Sequence, residues 1–302
     1  MHQNLIHQDA ARRKATFASR PGAILTTVAL LLVLASAVYA SDAAPITEEL
    51  HQVYPLSASG RISIDNLNGP VHIAAWDRNE VKLDAVKSAL TRERLDEAKI
   101  EIKSQPDSLS IKTNYPDRDR TFWRDRHDNP ASVEYTLMVP RNARLDEISL
   151  INGSLEIKDV AGDVHASCIN GHLQATNLEG RTHLSSVNGM LEASVSRLPG
   201  SSMELSAVNG ALRLTLPSDA NADVEASTVS GGISNDFGVP VTRGFVGHSL
   251  HAQLGGGGTH VRLSNVNGHI EIFHAKDNRP LSPAKNLNKH DGDHDDDHDD
   301  TI

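Results

Sequence analysis

The sequence predicts an all-β protein built as a parallel β-solenoid with coils of 18–21 residues, and three observations carry that expectation. First, a corner dipeptide recurs at Asn152-Gly153, Asn170-Gly171, Asn188-Gly189 and Asn209-Gly210. Ser230-Gly231 then takes the same place, and Asn267-Gly268 closes the series. The steps are 18, 18, 21 and 21 residues, then 37, close to two periods. An earlier copy, Asn68-Gly69, stands apart. Second, the flanks repeat in order. An aliphatic residue precedes each dipeptide (Ile151, Ile169, Val187, Val208, Val229, Val266). A serine lies three places before the Asn, or before Ser230: Ser149, Ser167, Ser185, Ser206, Ser227, Ser264. Third, apolar residues alternate at period two, as in Leu155/Ile157, Leu212/Leu214 and Ile270/Ile272, which marks strands with one buried face.

Asn and Gly both tolerate positive φ, so the dipeptides are expected to build tight corners. Asn-Gly is also the strongest hairpin signal, which makes an antiparallel meander the competing architecture. A meander needs turns but no residue-by-residue match between units. A solenoid needs that match because equivalent residues stack. The shared Ser, aliphatic, Asn, Gly order favours the solenoid. A second glycine, Gly162, Gly180 or Gly200, marks the middle of a unit.

Taken from the start, the chain opens with Arg12, Arg13, Lys14 and Arg20, then a short apolar run from Ala23 to Ala35, then small residues up to Ala40-Ser41. That order is the pattern of a secretory signal peptide, expected to span 1–40, with an uncleaved signal anchor as the alternative. Exported localisation, periplasmic or at the cell surface, follows as an expectation, with no membrane span once the signal is removed. Residues 41–55 read as an N-terminal linker. Between Val71 and Val139 the repeat loosens. Val81/Leu83/Ala85, Ile100/Ile102 and Leu109/Ile111 alternate like strands, and Thr91 to Lys99 reads as one short helix capped by Thr91. Residues 115–130 form a loop insert rich in both charge signs, with Arg118, Arg120, Arg124 and Arg126 around Phe122 and Trp123. Aromatics beside arginines can grip sugars or anionic polymers, but nearby aspartates offset these arginines, which suits a solvated loop.

Charge narrows the partners. The chain has formal net charge −10, and removing the first 40 residues, with four bases and one acid, leaves −13. Seven of those acids are aspartates after Lys289, so the body is only mildly acidic. Phosphate binding needs a basic face, so nucleic acid is not an expected partner. The single cysteine, Cys168, stands where other units hold Ser186, Ala207 and Thr228, which reads as a small filler rather than a nucleophile. No Gly-x-Ser-x-Gly, His-Glu-x-x-His or phosphate-binding glycine loop occurs, so no catalytic residue is assigned. Gly255 to Gly258 precedes a strand rather than a helix and reads as a flexible corner.

The motifs resemble the DUF4097 family of adhesin-like domains. The matching stretches are Ser59 to Ile64 leading to Asn68-Gly69, then Val71 to Asp77, Val133 to Pro140, and Gly255 to Gly258 followed by Val261 to Gly268. The resemblance covers about Leu56 to Phe273. It implies a right-handed β-solenoid, taken here as residues 56–275, in a bacterial envelope protein. It offers no catalytic residues to carry over. The expected function is a non-catalytic structural or interaction module for an envelope polymer or protein. The alternative is a carbohydrate-active solenoid, which clustered acids on one face would favour. Residues 276–302 are expected to form a disordered His/Asp-rich tail, in which His290, His294 and His298 offer weak divalent-metal binding.

Overall fold

The structure, a computed structural model, describes residues 44–116, 130–198, 200 and 202–288. In chain order the first elements are β1 (Ile46–Pro55), β2 (Arg61–Asn68), β3 (Val71–Trp76), β4 (Glu80–Ala89), α1 (Arg92–Glu97), β5 (Lys99–Gln105) and β6 (Ser108–Asn114). The regular coils follow: β7 (Ser132–Pro140), β8 (Arg144–Asn152), β9 (Leu155–Lys158), β10 (Val164–Asn170), β11 (Leu173–Thr176), β12 (Thr182–Asn188), β13 (Leu191–Ser194), β14 (Met203–Asn209) and β15 (Leu212–Leu216). The chain ends with β16 (Ala222–Ser230), β17 (Ile233–Asn235), β18 (Thr242–Arg243), β19 (His248–Leu254), β20 (Thr259–Asn267), β21 (Ile270–His274) and β22 (Ala284–Asn286).

These strands form two sheets. One has ten strands in the order β1-β4-β7-β3-β9-β11-β13-β15-β21-β17. The other has twelve, β18-β19-β16-β20-β14-β12-β10-β8-β2-β6-β5, with β22 beside β19. Each regular unit gives one strand to each sheet, and the pairings through the middle are parallel. That decides against the meander. The core between the sheets is a stack of aliphatic rows, such as Leu155, Leu173, Leu191, Leu212 and Ile270, all buried. Each row repeats one inward position, which is why the alternation was so regular in the sequence.

Four features differ from the expectations. The 37-residue step is not two coils climbing in sequence. β20 lies between β14 and β16, so Asn267 pairs with Asn209 on one side and Ser230 on the other. The intervening chain instead makes β17 to β19, with β19 antiparallel to β16. The isolated Asn68 is likewise not isolated in space: β2 pairs directly with β8, setting Asn68 beside Asn152. The expected linker 41–55 contains β1, antiparallel to β4 along its whole length. β1 was missed because most of its side chains are exposed and it has no fully apolar face. Finally, the tail expected from residue 276 stays docked well beyond it. Ser282 donates to the Ala220 carbonyl at 2.7 Å, and β22 pairs with β19. Backbone hydrogen bonds rather than apolar burial hold this stretch, so composition gave no warning of it.

The short helix is α1, with the Arg94 amide donating to the Thr91 hydroxyl at its N-cap. Its Leu95 is fully buried. Of the charged insert, only its ends are described, where Tyr115 donates to the Ala131 carbonyl at 2.9 Å. The loop arginines and aromatics from 117 to 129 lie outside the described residues.

Candidate functional site

The corners come first because they set everything beside them. Gly69, Gly153, Gly171, Gly189, Gly210, Gly231 and Gly268 all have positive φ, between 116° and 155°. The preceding asparagines do not. They end their strands in extended backbone, which corrects the expectation that both residues turn the chain. Their side chains serve another purpose. Asn170 Nδ2 donates to Asn152 Oδ1 at 3.0 Å, Asn188 to Asn170 at 2.9 Å, Asn209 to Asn188 at 3.0 Å, and Asn267 to Asn209 at 3.0 Å. At one end of this ladder, Asn152 reaches the Leu67 carbonyl and Asn68 the Ala131 carbonyl, both at 3.4 Å. The backbone runs the other way, since the amides of Gly153, Gly171, Gly189 and Gly210 donate to Asn carbonyls of the next coil.

Opposite these corners lies a second ladder that sequence reading missed. Asp159 and Asn177 both take left-handed backbone with φ 59°, and Asn177 Nδ2 donates to Asp159 Oδ1 at 2.7 Å. The Ser196 hydroxyl donates to Asn177 in turn. The signal was present as Asx residues one period apart, but no Asn-Gly dipeptide drew attention to it.

Beside the asparagines, the outer face of the twelve-stranded sheet carries three parallel rows. The serine row runs Ser149, Ser167, Ser185, Ser206, Ser264, Ser227, Ser249 in spatial order. Two residues along each coil strand stands an aliphatic row. Its members Ile169, Val187, Val208 and Val266 are about 40% exposed, and Val229 reaches 55%. The parity explains it: Ala166 and Cys168 point inward, so Ile169 must point out. The hairpin turn after β18 extends this apolar strip. Gly247 packs on the backbone of Thr228 and Val229, and the neighbouring Phe245 and Val246 are exposed. The third row is polar and runs His165, His183, Glu204, Arg262, Glu225 in spatial order. His165 and His183 rings lie 4.7 Å apart, His183 Nδ1 is 3.3 Å from Glu204 Oε2, and Arg262 pairs with Glu225 at 3.3 Å. Neighbouring strands stand about 4.8 Å apart and alternate residues about 7 Å apart along a strand. The face is therefore a near-regular grid of hydroxyl and aliphatic groups.

The outer face of the ten-stranded sheet is different. Its carboxylates alternate with bases rather than clustering. Glu156 meets Lys158 and, at 3.1 Å, His72, while Glu271 meets Arg213 at 2.8 Å. The Lys158 ammonium first, and His72 second, hold the Glu156 carboxyl below the usual carboxylate value. Burial pushes the Cys168 thiol up, away from the thiolate form that a nucleophile needs. Its Sγ faces the Gly153 carbonyl at 3.5 Å, as expected of a filler beneath a corner. Among the described residues no group of three or more His, Cys, Asp or Glu could hold a metal ion, and no helix is long and apolar enough to cross a membrane. His290, His294 and His298 lie outside the described residues.

One buried polar group stands out where β2, β6 and β7 come together. Tyr135 hydroxyl and Thr113 Oγ1 are 2.7 Å apart, and Thr113 donates to Asn66 Oδ1 at 3.0 Å. Asn66 Nδ2 then donates to the carbonyls of Val133 at 2.9 Å and Gly69 at 3.1 Å. With the Thr113 proton committed to Asn66, Tyr135 is the donor to Thr113. Burial pushes the Tyr135 phenol up to about 12, so it keeps that proton. This chain ties the Asn68-Gly69 corner to the strands beneath it.

The family model described as Toastrack DUF4097 matches residues 151–273. No curated protein matches the chain. Among solved structures, a proposed cell adhesion protein from Clostridium sporogenes aligns with TM-score 0.46 and 12% identity, covering 76% of this chain and 99% of that one. A proposed adhesin from Bacteroides fragilis aligns with TM-score 0.33 and 12% identity, covering 74% and 97%. A proposed lipid binding protein from Parabacteroides distasonis aligns with TM-score 0.23 and 7% identity, covering 78% and 98%. The stacked strands that carry the corner residues from Asn152 to Asn267 thus lie within the stretch that matches the DUF4097 family model.

Proposed function

We propose that this chain is an exported, non-catalytic interaction module of the bacterial envelope, a right-handed solenoid of 18–21-residue coils that lays one long face against an extended envelope polymer. The observation that carries the reading is the exposed aliphatic row beside the serine row. A soluble protein exposes single apolar side chains freely, but a contiguous strip rimmed by polar groups marks a contact surface. Spacings set by the strands suit a ligand that is itself repetitive, and stacked hydroxyls can bond to it coil by coil. The carbohydrate-active reading called for acids gathered on one face, whereas the carboxylates of Glu156 and Glu271 each sit against a base.

Export rests on the basic, apolar and small-residue order of the first 40 residues. N-terminal sequencing of the exported form should begin near Ser41, and an intact Met1 in that form would sink this part. The surface is tested by co-sedimentation with purified cell-wall sacculi. Val187→Lys with Val208→Lys should lower binding about tenfold or more, on the energy of two lost apolar contacts. Glu192→Lys on the other sheet should not lower it. Binding that survives the double substitution would place the contact elsewhere.

A further inference from the structure

The twelve-stranded sheet is not the only surface without a partner. β1 ends the ten-stranded sheet, and among the described residues no strand pairs with its outer edge. The edge is long, at ten residues, and runs straight beside β4 with no bulge. Every second residue of such a strand turns its N–H and C=O outward, where they template another strand. Proteins that stay single usually blunt such an edge. Here the inner side of the edge mixes apolar Leu50 and Tyr54 with polar Glu48 and Gln52 and is only half covered. Leu50 and Tyr54 pack on the core, and an open groove separates Leu50 from Ile100 on the opposing edge strand β5.

We propose that two copies of this chain join edge to edge through β1, antiparallel, with Leu50 of one copy facing Leu50 of the other. The sequence of β1 complements itself in that register. Ile46 faces Tyr54, Thr47 faces Val53, Glu48 faces Gln52 and Glu49 faces His51, each pair occurring twice about the two-fold axis. No like charges meet. Shifting the register two residues one way sets Glu49 against Glu49, and the other way sets His51 against His51 and brings in Pro55, which has no N–H. Directly opposed like charges destabilise a strand pair.

The hydrogen-bonding groups also fit. The Tyr54 hydroxyl occupies Gln52 Oε1, which leaves the Gln52 amide nitrogen to donate to Glu48 of the second copy. His51 Nδ1 holds Asp84 at 2.7 Å, while Nε2 lies 3.2 Å from Glu49 of its own strand. In the pair, Nε2 meets Glu49 of the second copy across the interface. The joined sheets would run on as one, and the Leu50 side chains would cover each other's exposed flank. This proposal concerns assembly and does not depend on the ligand of the aliphatic strip.

Sedimentation of the purified protein over a range of concentrations should show a reversible monomer–dimer equilibrium. Glu49→Lys opposes Lys to His51 at two sites and should raise the dimer dissociation constant about tenfold or more. Cross-linking fixes the register independently of affinity. Leu50→Cys should form an interchain disulfide on mild oxidation, because facing residues bring their Cβ atoms near bonding distance. Thr47→Cys should not form one alone but should do so when mixed with Val53→Cys. Cys168 is buried and does not compete. A monomer at all concentrations would overturn the proposal, including one whose β1 amides become protected only when another envelope protein is added. So would a dimer that ignores Glu49→Lys, or failure of Leu50→Cys to cross-link.

Discussion

Asn188 donates from Nδ2 to Oδ1 of Asn170, one coil away, across 2.9 Å. The same bond recurs from Asn152 to Asn267, always in one direction. Each internal amide thus donates once and accepts once, while the neighbouring glycine amides donate in the opposite sense. The ladder aligns the corners, and the aligned corners hold the serine and aliphatic rows in register. The outer face is regular because the corner is. Structure and proposed function meet at this point: a surface with a repeat can be built only on a backbone with the same repeat.

The corner glycines should be the least replaceable residues of the domain. At Gly189 a Cβ would stand 1.9 Å from the Gly171 carbonyl oxygen, on backbone with φ 136°. Both the overlap and the conformation oppose any side chain. Gly200 has nothing within 4 Å of the same atom. Gly189→Ala should therefore lower stability by about 3 kcal/mol or more, and Gly200→Ala by less than about 0.5 kcal/mol. Urea unfolding midpoints compare the two directly. Equal midpoints would mean that neighbouring coils do not approach so closely at this corner.

The ladder stops at Ser230, which pairs with Asn267 but brings no amide to it. The Asn267 side-chain oxygen is the last acceptor in the row. Ser230→Asn should add one more amide bond in the existing direction and raise stability by about 0.5–1 kcal/mol, the usual net worth of one hydrogen bond. Asn188→Ala, which removes a bond on each side, should lower it by about 1–2 kcal/mol. Thermal melts of the two variants should move in opposite directions. A Ser230→Asn protein no more stable than its parent would argue against an aligned ladder end.

The repeat, the strands and the capped helix were legible because each depends on local pattern. Val81, Leu83 and Ala85 alternate, and Thr91 caps α1 through a neighbour three residues away. The order of coils was not legible. Nothing within 37 residues of chain states that Asn267 returns to lie between Asn209 and Ser230. Matching corner residues permit several stacking orders, and the β17–β19 excursion decides among them through non-local pairing. The one local hint was the serine at position 230. The aliphatic row was read as part of the repeat but not as exposed, although its odd offset from Ala166 and the other inward residues required it. β1 and β22 escaped notice because edge strands bury little, so they carry weak alternation.

Acid should weaken the outer face of the ten-stranded sheet. Glu156 is held below its ordinary value of 4.5 by Lys158 and His72, with uncharged Gln174 beside it on the next strand. A depressed carboxyl contributes stability above its unfolded value and loses it as pH falls through the folded one. Glu156→Gln should therefore be slightly less stable than the parent at pH 7, by a few tenths to about 1 kcal/mol for a partly exposed ion pair. The gap should close as pH falls below about 4.5. Melting temperatures of both proteins across that range provide the check, and a gap that stays constant would mean the carboxylate is not stabilised by its bases.

The buried chain of Tyr135, Thr113 and Asn66 separates two kinds of loss. Thr113 is its middle member, accepting from the Tyr135 hydroxyl and donating to Asn66. In Tyr135→Phe one bond disappears, yet Thr113 still donates to Asn66, so nothing buried is left with a polar atom wholly unpaired. The expected loss is about 1 kcal/mol. In Thr113→Val the shape is kept, but the Tyr135 hydroxyl loses its acceptor and Asn66 Oδ1 loses its donor, both at fully buried residues. Two stranded polar groups should lower stability by about 2–4 kcal/mol. Combining the two substitutions removes the tyrosine hydroxyl that Thr113→Val had stranded. The double variant should therefore be less destabilised than the sum of the single ones, with an interaction energy of about 1 kcal/mol. A complete cycle of urea unfolding measures that energy, and strict additivity would show that the three side chains do not act as one chain.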